Sequence, residues 1–174
     1  MNIQEIISDT GKLKAGQRIL LSGTVYTARD AAHARIIDTL DKGEKPPFDL
    51  RESAVYYCGP TPAKPGSVIG ACGPTTSARM DAFTPRMLKE GVKILIGKGA
   101  RSADVVRSIK EHNAVYLIAT GGVAALLSKT VVKSELIAFE DLGPEAVFKL
   151  EVKDMPLIVA IDAEGNDIFN IGKR

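Results

Sequence analysis

Short apolar runs, each closed by glycine, proline or a polar cluster, recur along this chain and alternate with stretches of helical period. Continuous apolar segments bounded by turn residues fit strands that are covered on both faces. Strands are predicted over Arg18–Val25, Ala54–Cys58, Ser67–Cys72, Val92–Ile96 and Ala114–Ile118, and later over Leu136–Phe139, Val147–Val152 and Leu157–Ile161. Between them lie helical patterns. From Asp30 to Leu40, the positions Ala32, Ile36 and Leu40 form one stripe, and the loop Gly43-Glu44-Lys45-Pro46-Pro47 ends the helix. A second helix is expected from Met80 to Glu90, stopped by Gly91. A third opens at Ser102 and runs to about His112, and a fourth of small and apolar residues follows Gly121-Gly122. Asp162 to Asn166 reads as a turn leading into Ile168-Phe169, a hairpin signal. The pattern is that of a mixed α/β fold, with no linker or low-complexity tract to divide it.

Composition narrows the function classes. A chain of 174 residues with 45% hydrophobic and 25% charged residues suits one globular domain, residues 1–174, with a sizeable core. A net charge of +2 is too small to imply nucleic acid or an anionic membrane surface as partner. No apolar run is long enough to span a bilayer, and the start Met1-Asn2-Ile3-Gln4-Glu5 lacks a signal-peptide pattern, so a cytoplasmic location is expected. Two cysteines, Cys58 and Cys72, make no disulfide framework and read as small apolar side chains near strand ends.

The chemistry-bearing residues gather where strands end. Residues 72–81 read Cys-Gly-Pro-Thr-Thr-Ser-Ala-Arg-Met-Asp. Gly-Pro breaks the preceding run, and three hydroxyls and an arginine follow. Such a turn can aim backbone N–H groups, the hydroxyls of Thr75, Thr76 and Ser77, and the Arg79 guanidinium at one anion. The same hydroxyls could equally cap a helix, with Arg79 solvated. After the first strand come Arg29 and, four residues on along the same helical face, His33. A cation at a helix start opposes the helix dipole, which an external anion would explain; a plain surface arginine would do so too. Gly97-Lys98-Gly99 places a lysine at another strand end, and Thr120-Gly121-Gly122 is a further strand-to-helix turn. Ligands collect beyond the carboxyl ends of strands in open α/β sheets, and three cations there suit a dicarboxylate. Cys58-Gly59-Pro60-Thr61 is echoed by Cys72-Gly73-Pro74-Thr75, which would put two threonines near one sheet edge. The chain has no P-loop, no dinucleotide fingerprint, no zinc spacing, and too few thiolates for an iron–sulfur cluster of its own.

These segments resemble the beta subunit of class I fumarate hydratase, which is also the C-terminal domain of single-chain enzymes, and the related L-tartrate dehydratase beta subunit. The resemblance spans essentially the whole chain. It rests on Ser22-Gly23-Thr24 with residues 28–33 (Ala-Arg-Asp-Ala-Ala-His), on residues 57–62 (Tyr-Cys-Gly-Pro-Thr-Pro), on residues 73–81, on Gly97-Lys98-Gly99 and on residues 119–122 (Ala-Thr-Gly-Gly). It implies a swivelling β/β/α domain with a mixed sheet core and flanking helices. It implies a hydro-lyase that interconverts fumarate and (S)-malate, or dehydrates tartrate. It assigns Thr75 to proton transfer, Arg29, Arg79 and Lys98 to the substrate carboxylates, and supporting places to His33, Thr76, Ser77 and Asp81. It also implies a [4Fe–4S] cluster held by the three cysteines of a partner alpha subunit, with no metal ligands in this chain. Threonine is a poor base unless its alkoxide is stabilised, so nearby cations would have to lower its pKa. A carboxylate-binding module without catalysis is the alternative from a different class; the intact set Arg29, Thr75, Arg79 and Lys98 argues against it.

Overall fold

In the computed structural model, which describes residues 1–119 and 124–170, six strands form one mixed sheet. They are β1 (Arg18–Thr27), β2 (Ser53–Tyr56), β3 (Val92–Gly97), β4 (Val115–Ile118), β5 (Val131–Ala138) and β6 (Val147–Ile161). The helices are α1 (Ile3–Ser8), α2 (Asp30–Asp41), α3 (Thr84–Lys89), α4 (Ala103–Glu111) and α5 (Ala124–Ser128). Strands β1 to β4 run parallel in chain order, and β6 pairs antiparallel with β1, β4 and β5. Because β6 meets both β4 and β1, the pairing circuit closes on itself.

Burial on both faces explains the near-continuous apolar strands. Ala54, Tyr56, Ile94, Ile96, Val115 and Leu117 point into one core, with Leu21, Val25 and Leu150. Their neighbours Val55, Leu95 and Tyr116 point into a second core beneath Ala32 and Ile36 of α2, Met87 of α3 and Ile109 of α4. Among the described residues no helix is long and apolar enough to cross a membrane.

Several local expectations change. Ser67–Cys72 is a loop, not a strand. Gly70 lies so close to the Thr61 backbone that no side chain fits, and Thr61 and Ala71 satisfy each other: the Thr61 N–H donates to the Ala71 carbonyl (3.0 Å) and the Ala71 N–H to Thr61 Oγ1 (2.8 Å). The expected helix from Met80 begins instead as a 3-10 turn, Ser77–Met80, and only then becomes α3, with Pro85 in its first turn, where a missing N–H costs nothing. The two strands expected at Val147–Val152 and Leu157–Ile161 are one strand. A register shift opposite Leu21 and Gly23, with Asp154 at φ 53°, bends β6 without ending it. It also lets β6 change partner from β5 to β4. The turn after β6 is present, held by Gly165 N–H on the Asp162 carbonyl (2.9 Å), but it leads to a single bridge, Ile161 to Asp167, rather than a second strand.

Candidate active site

At the carboxyl ends of β1, β2 and β3 the chain turns three times, and the three turns touch. The β1 backbone runs on through Ala28, whose N–H donates to the Tyr56 carbonyl at 3.0 Å, so Arg29 emerges as the N-cap residue of α2. Beyond β2, the Tyr57 carbonyl accepts the Thr75 N–H at 2.7 Å. Beyond β3, the Lys98 N–H donates to Ser77 Oγ at 2.9 Å and the Ser77 N–H to the Lys98 carbonyl at 3.0 Å. Residues 75–77 are thus laid between Tyr57 and Lys98, with Thr76 bridged to Lys98. Gly97 is required here: a Cβ would overlap Ser77 Oγ and come within 2.9 Å of Tyr57 Cδ2.

The cations are arranged by carboxylates. Asp30 Oδ1 accepts from Arg79 Nε at 2.9 Å, while Oδ2 lies 3.9 Å from Arg29 Nε. Glu145 holds the other edge of Arg29, with Oε1 3.0 Å from Nη2, and accepts the Ala31 N–H of the first helical turn at 3.3 Å. Arg29 at the positive end of α2 therefore has its charge countered from within the chain. Two polar atoms in this group, Arg29 Nε and Asp30 Oδ2, are buried without a hydrogen-bond partner among the described residues. Arg79 is exposed, with 53% of its side chain accessible, and Lys98 is exposed with no ion pair among the described residues. Thr75 is half-buried beside them. Arg29, Arg79, Lys98 and the Thr75–Ser77 hydroxyls thus lie on contiguous turns at the carboxyl ends of β1 to β3.

The remaining residues named from sequence hold the site rather than face it. His33 is fully buried: Nδ1 donates to the Arg29 carbonyl at 2.9 Å, and the ring packs against Tyr57 and Phe83. Burial pushes its pKa down to about 4, opposed by the Arg29 hydrogen bond and aided by the charge of Arg101. The ring is held neutral and in one tautomer. Ser77 is buried as the joint between two turns, and Thr76 is exposed at the bridge. Asp81 faces away from Arg79; its Oδ1 accepts from Arg101 Nε at 2.7 Å and its Oδ2 from the Ser102 N–H at 2.8 Å. The turn Thr120-Gly121-Gly122 lies outside the described residues.

The two Cys-Gly-Pro-Thr copies do not end adjacent strands. They face each other antiparallel, Cys58 opposite Pro74, and bring the two buried sulfurs to 3.0 Å. The contact with Cys72, together with burial, raises the Cys58 thiol pKa. Among the described residues there is no group of three or more His, Cys, Asp or Glu side chains placed to hold a metal ion. With its only thiols turned on each other inside the core, this chain does not fit as the holder of an iron–sulfur cluster.

Asp30, Glu145 and Arg101 escaped the sequence reading as site residues. Asp30 was legible only as a helix start, and Glu145 follows Gly143-Pro144 in a stretch with no motif. Arg101 lies just before the Ser102 cap of α4, as many surface arginines do, although its side chain is wholly buried.

Comparison with known proteins bears on the same segments. The family model described as Fumarase C-terminus matches residues 1–172. A Methanocaldococcus jannaschii protein named "Putative L(+)-tartrate dehydratase subunit beta" is 43% identical over 167 residues, covering 92% of this chain and 86% of that protein. Fumarate hydratase 2 of Leishmania major is 38% identical over 170 residues, covering 97% of this chain but 30% of the larger protein. The aerobic class I fumarate hydratase of Escherichia coli strain K12 is 36% identical, with 96% of this chain and 31% of that enzyme covered.

Proposed function

This chain belongs to the Fumarase C-terminus family, and on that premise we propose that it is the beta subunit of a hydro-lyase, supplying the carboxylate-binding cations and a proton-transfer threonine. The reaction in this reading is the reversible hydration of fumarate to (S)-malate. The observation that carries it is the meeting of Arg29 and Arg79 on Asp30 beside the Thr75–Ser77 turn and Lys98.

Each residue then has a task its position allows. The guanidinium edges of Arg29 and Arg79 left free by Asp30 and Glu145 take the carboxylates of a small diacid, and Lys98 adds a mobile charge. Hydration adds a proton to one alkene carbon and hydroxide to the other. The Thr75 hydroxyl gives that proton and becomes an alkoxide, which regains a proton from the water that supplies the hydroxide; in dehydration the alkoxide takes the proton from the carbon next to a carboxylate. Charge building on that carboxylate is stabilised by the arginine fork, which is set before the reaction and needs no rearrangement. His33 holds the backbone carbonyl of Arg29.

The [4Fe–4S] cluster belongs, in this reading, to a partner alpha chain. The name of the M. jannaschii relative, which describes a subunit, supports a separate partner. In the single-chain L. major and E. coli relatives, this chain corresponds to less than a third of the length. The same M. jannaschii name favours a second substrate reading, dehydration of tartrate.

The test is anaerobic reconstitution with the cluster-bearing alpha chain and steady-state kinetics on fumarate, malate and tartrate. Activity should need both chains. Thr75→Val, close in shape but without the hydroxyl, should retain diacid binding while kcat falls on the order of 10²-fold or more. An unchanged kcat would remove Thr75 from proton transfer, and hydration by the iron-free beta chain alone would overturn the split site.

A further inference from the structure

Arg101 is an enclosed charge, with none of its side chain exposed to solvent. Its Nε donates to Asp81 Oδ1 at 2.7 Å, Nη2 donates to Thr84 Oγ1 at 2.6 Å, and Nη1 lies 3.5 Å from the Tyr57 hydroxyl. The guanidinium carbon sits 5.3 Å from the Tyr57 ring centre and 4.9 Å from that of Tyr116, within cation–π range of both. An arginine this buried, paired with one carboxylate, is costly to maintain unless its other donors are met. Here they are met by residues that lead directly to the site.

Both aromatic partners hold the turns on which the substrate groups ride. The Tyr57 carbonyl fixes the Thr75 N–H. The Tyr116 hydroxyl lies 2.9 Å from both Ser77 Oγ and the Gly99 carbonyl. Ser77 Oγ in turn accepts the Lys98 N–H at 2.9 Å. Asp81, the counter-ion, also takes the Ser102 N–H that begins α4, so the pair joins the end of the Ser77–Met80 turn to the start of that helix. One planar group thus touches both the tyrosine that holds the Thr75 turn and the tyrosine that meets Ser77 and Gly99.

Resting on the functional reading above, we propose that Arg101 is a positioning residue for this site: wedged between Tyr57 and Tyr116, it fixes the spacing of Thr75 and Lys98 without touching substrate. Lysine cannot replace it. A point charge on a flexible stem can meet Asp81, but it cannot reach Thr84 and lie flat between two rings at once.

The experiment uses two variants and two independent readouts. Arg101→Lys keeps the charge and loses the fork. Tyr116→Phe keeps the ring over Arg101 and loses only the hydroxyl that reaches Ser77 and Gly99. The first readout is the backbone amide spectrum of the isotopically labelled beta chain, read at Thr75, Ser77 and Lys98. The second is the split between KM and kcat in the complex with the alpha chain. Displaced site segments should raise KM for the diacid on the order of 10-fold and lower kcat as well, with amide shifts centred on Ser77 and Lys98. A purely structural role would lower Vmax in proportion to the folded fraction and leave KM unchanged. That outcome, or unshifted site amides in a folded variant, overturns the proposal. If Arg101→Lys does not fold, Thr84→Val, which removes the acceptor that holds Arg101 Nη2, decides by the same two criteria. If the wild-type complex neither hydrates fumarate nor dehydrates malate or tartrate, the functional reading fails, and the amide spectra still decide whether Arg101 sets these turns.

Discussion

Replacing His33 by phenylalanine should make the protein less sensitive to mild acid. The imidazole is wholly buried against Tyr57 and Phe83, with Nε2 unpartnered and Nδ1 committed to the Arg29 carbonyl. Burial lowers its pKa to about 4, against about 6.5 in the unfolded chain. Because the folded value is the lower one, the unfolded chain takes up the proton first as pH falls. The stabilisation is therefore present above about pH 6.5 and is lost as pH drops toward about 4. The full difference of about 2.5 units corresponds to about 3 kcal/mol, of which about 2 kcal/mol is lost between pH 7 and pH 5. His33→Phe keeps an aromatic ring and cannot titrate; at neutral pH it should cost about 1 kcal/mol for the lost hydrogen bond. Urea unfolding of both chains at steps from pH 7.5 to pH 4.5 gives the comparison. His112 is common to both and cancels. With a urea m-value of about 2 kcal/mol/M, the wild-type midpoint should fall about 1 M further than the variant's between pH 7 and pH 5. Parallel pH profiles for the two chains would refute a neutral buried His33.

Two further outcomes test the packing around the site. Gly97→Ala should lower stability by about 2 kcal/mol or more, seen as a drop in Tm, because the new methyl group displaces Ser77 and meets the Tyr57 ring; an unchanged Tm would contradict the close approach of the Ser77 turn to β3. Cys58 and Cys72 should resist a disulfide thiol reagent in the native chain and both react once it is unfolded, since each is buried and the Cys58 pKa is raised; rapid native labelling would show that the loop between the two Gly-Pro turns opens readily.

The sequence by itself settled the local order. Each of β2 to β4 is an apolar run closed by a turn, and that pattern survives because strand burial on both faces is written in consecutive residues, while β1 is marked by burial at alternate positions such as Ile19, Leu21 and Val25. The stripe Ala32, Ile36 and Leu40 fixed α2 for the same reason. Turn chemistry at strand ends also marked Arg29, the Thr75–Arg79 segment and Lys98, which the fold brings together. Local signals failed where long-range contacts took over. Ser67–Cys72 has strand-like residues, yet Thr61 takes up its backbone and Gly70 packs on it, so it remains a loop. The Pro156 region interrupts the pattern of β6, yet pairing with β1 on one side and two partners on the other carries the strand through.

Only the tertiary structure decided what surrounds each charge. Asp30 between two arginines, Glu145 on Arg29, the burial of His33 and Arg101, and the meeting of Cys58 with Cys72 all join residues brought close by chain closure. Periodicity reports which face of an element a side chain occupies. It carries no record of which distant element will cover that face, and so none of whether a charge ends in water, in an ion pair or between two rings.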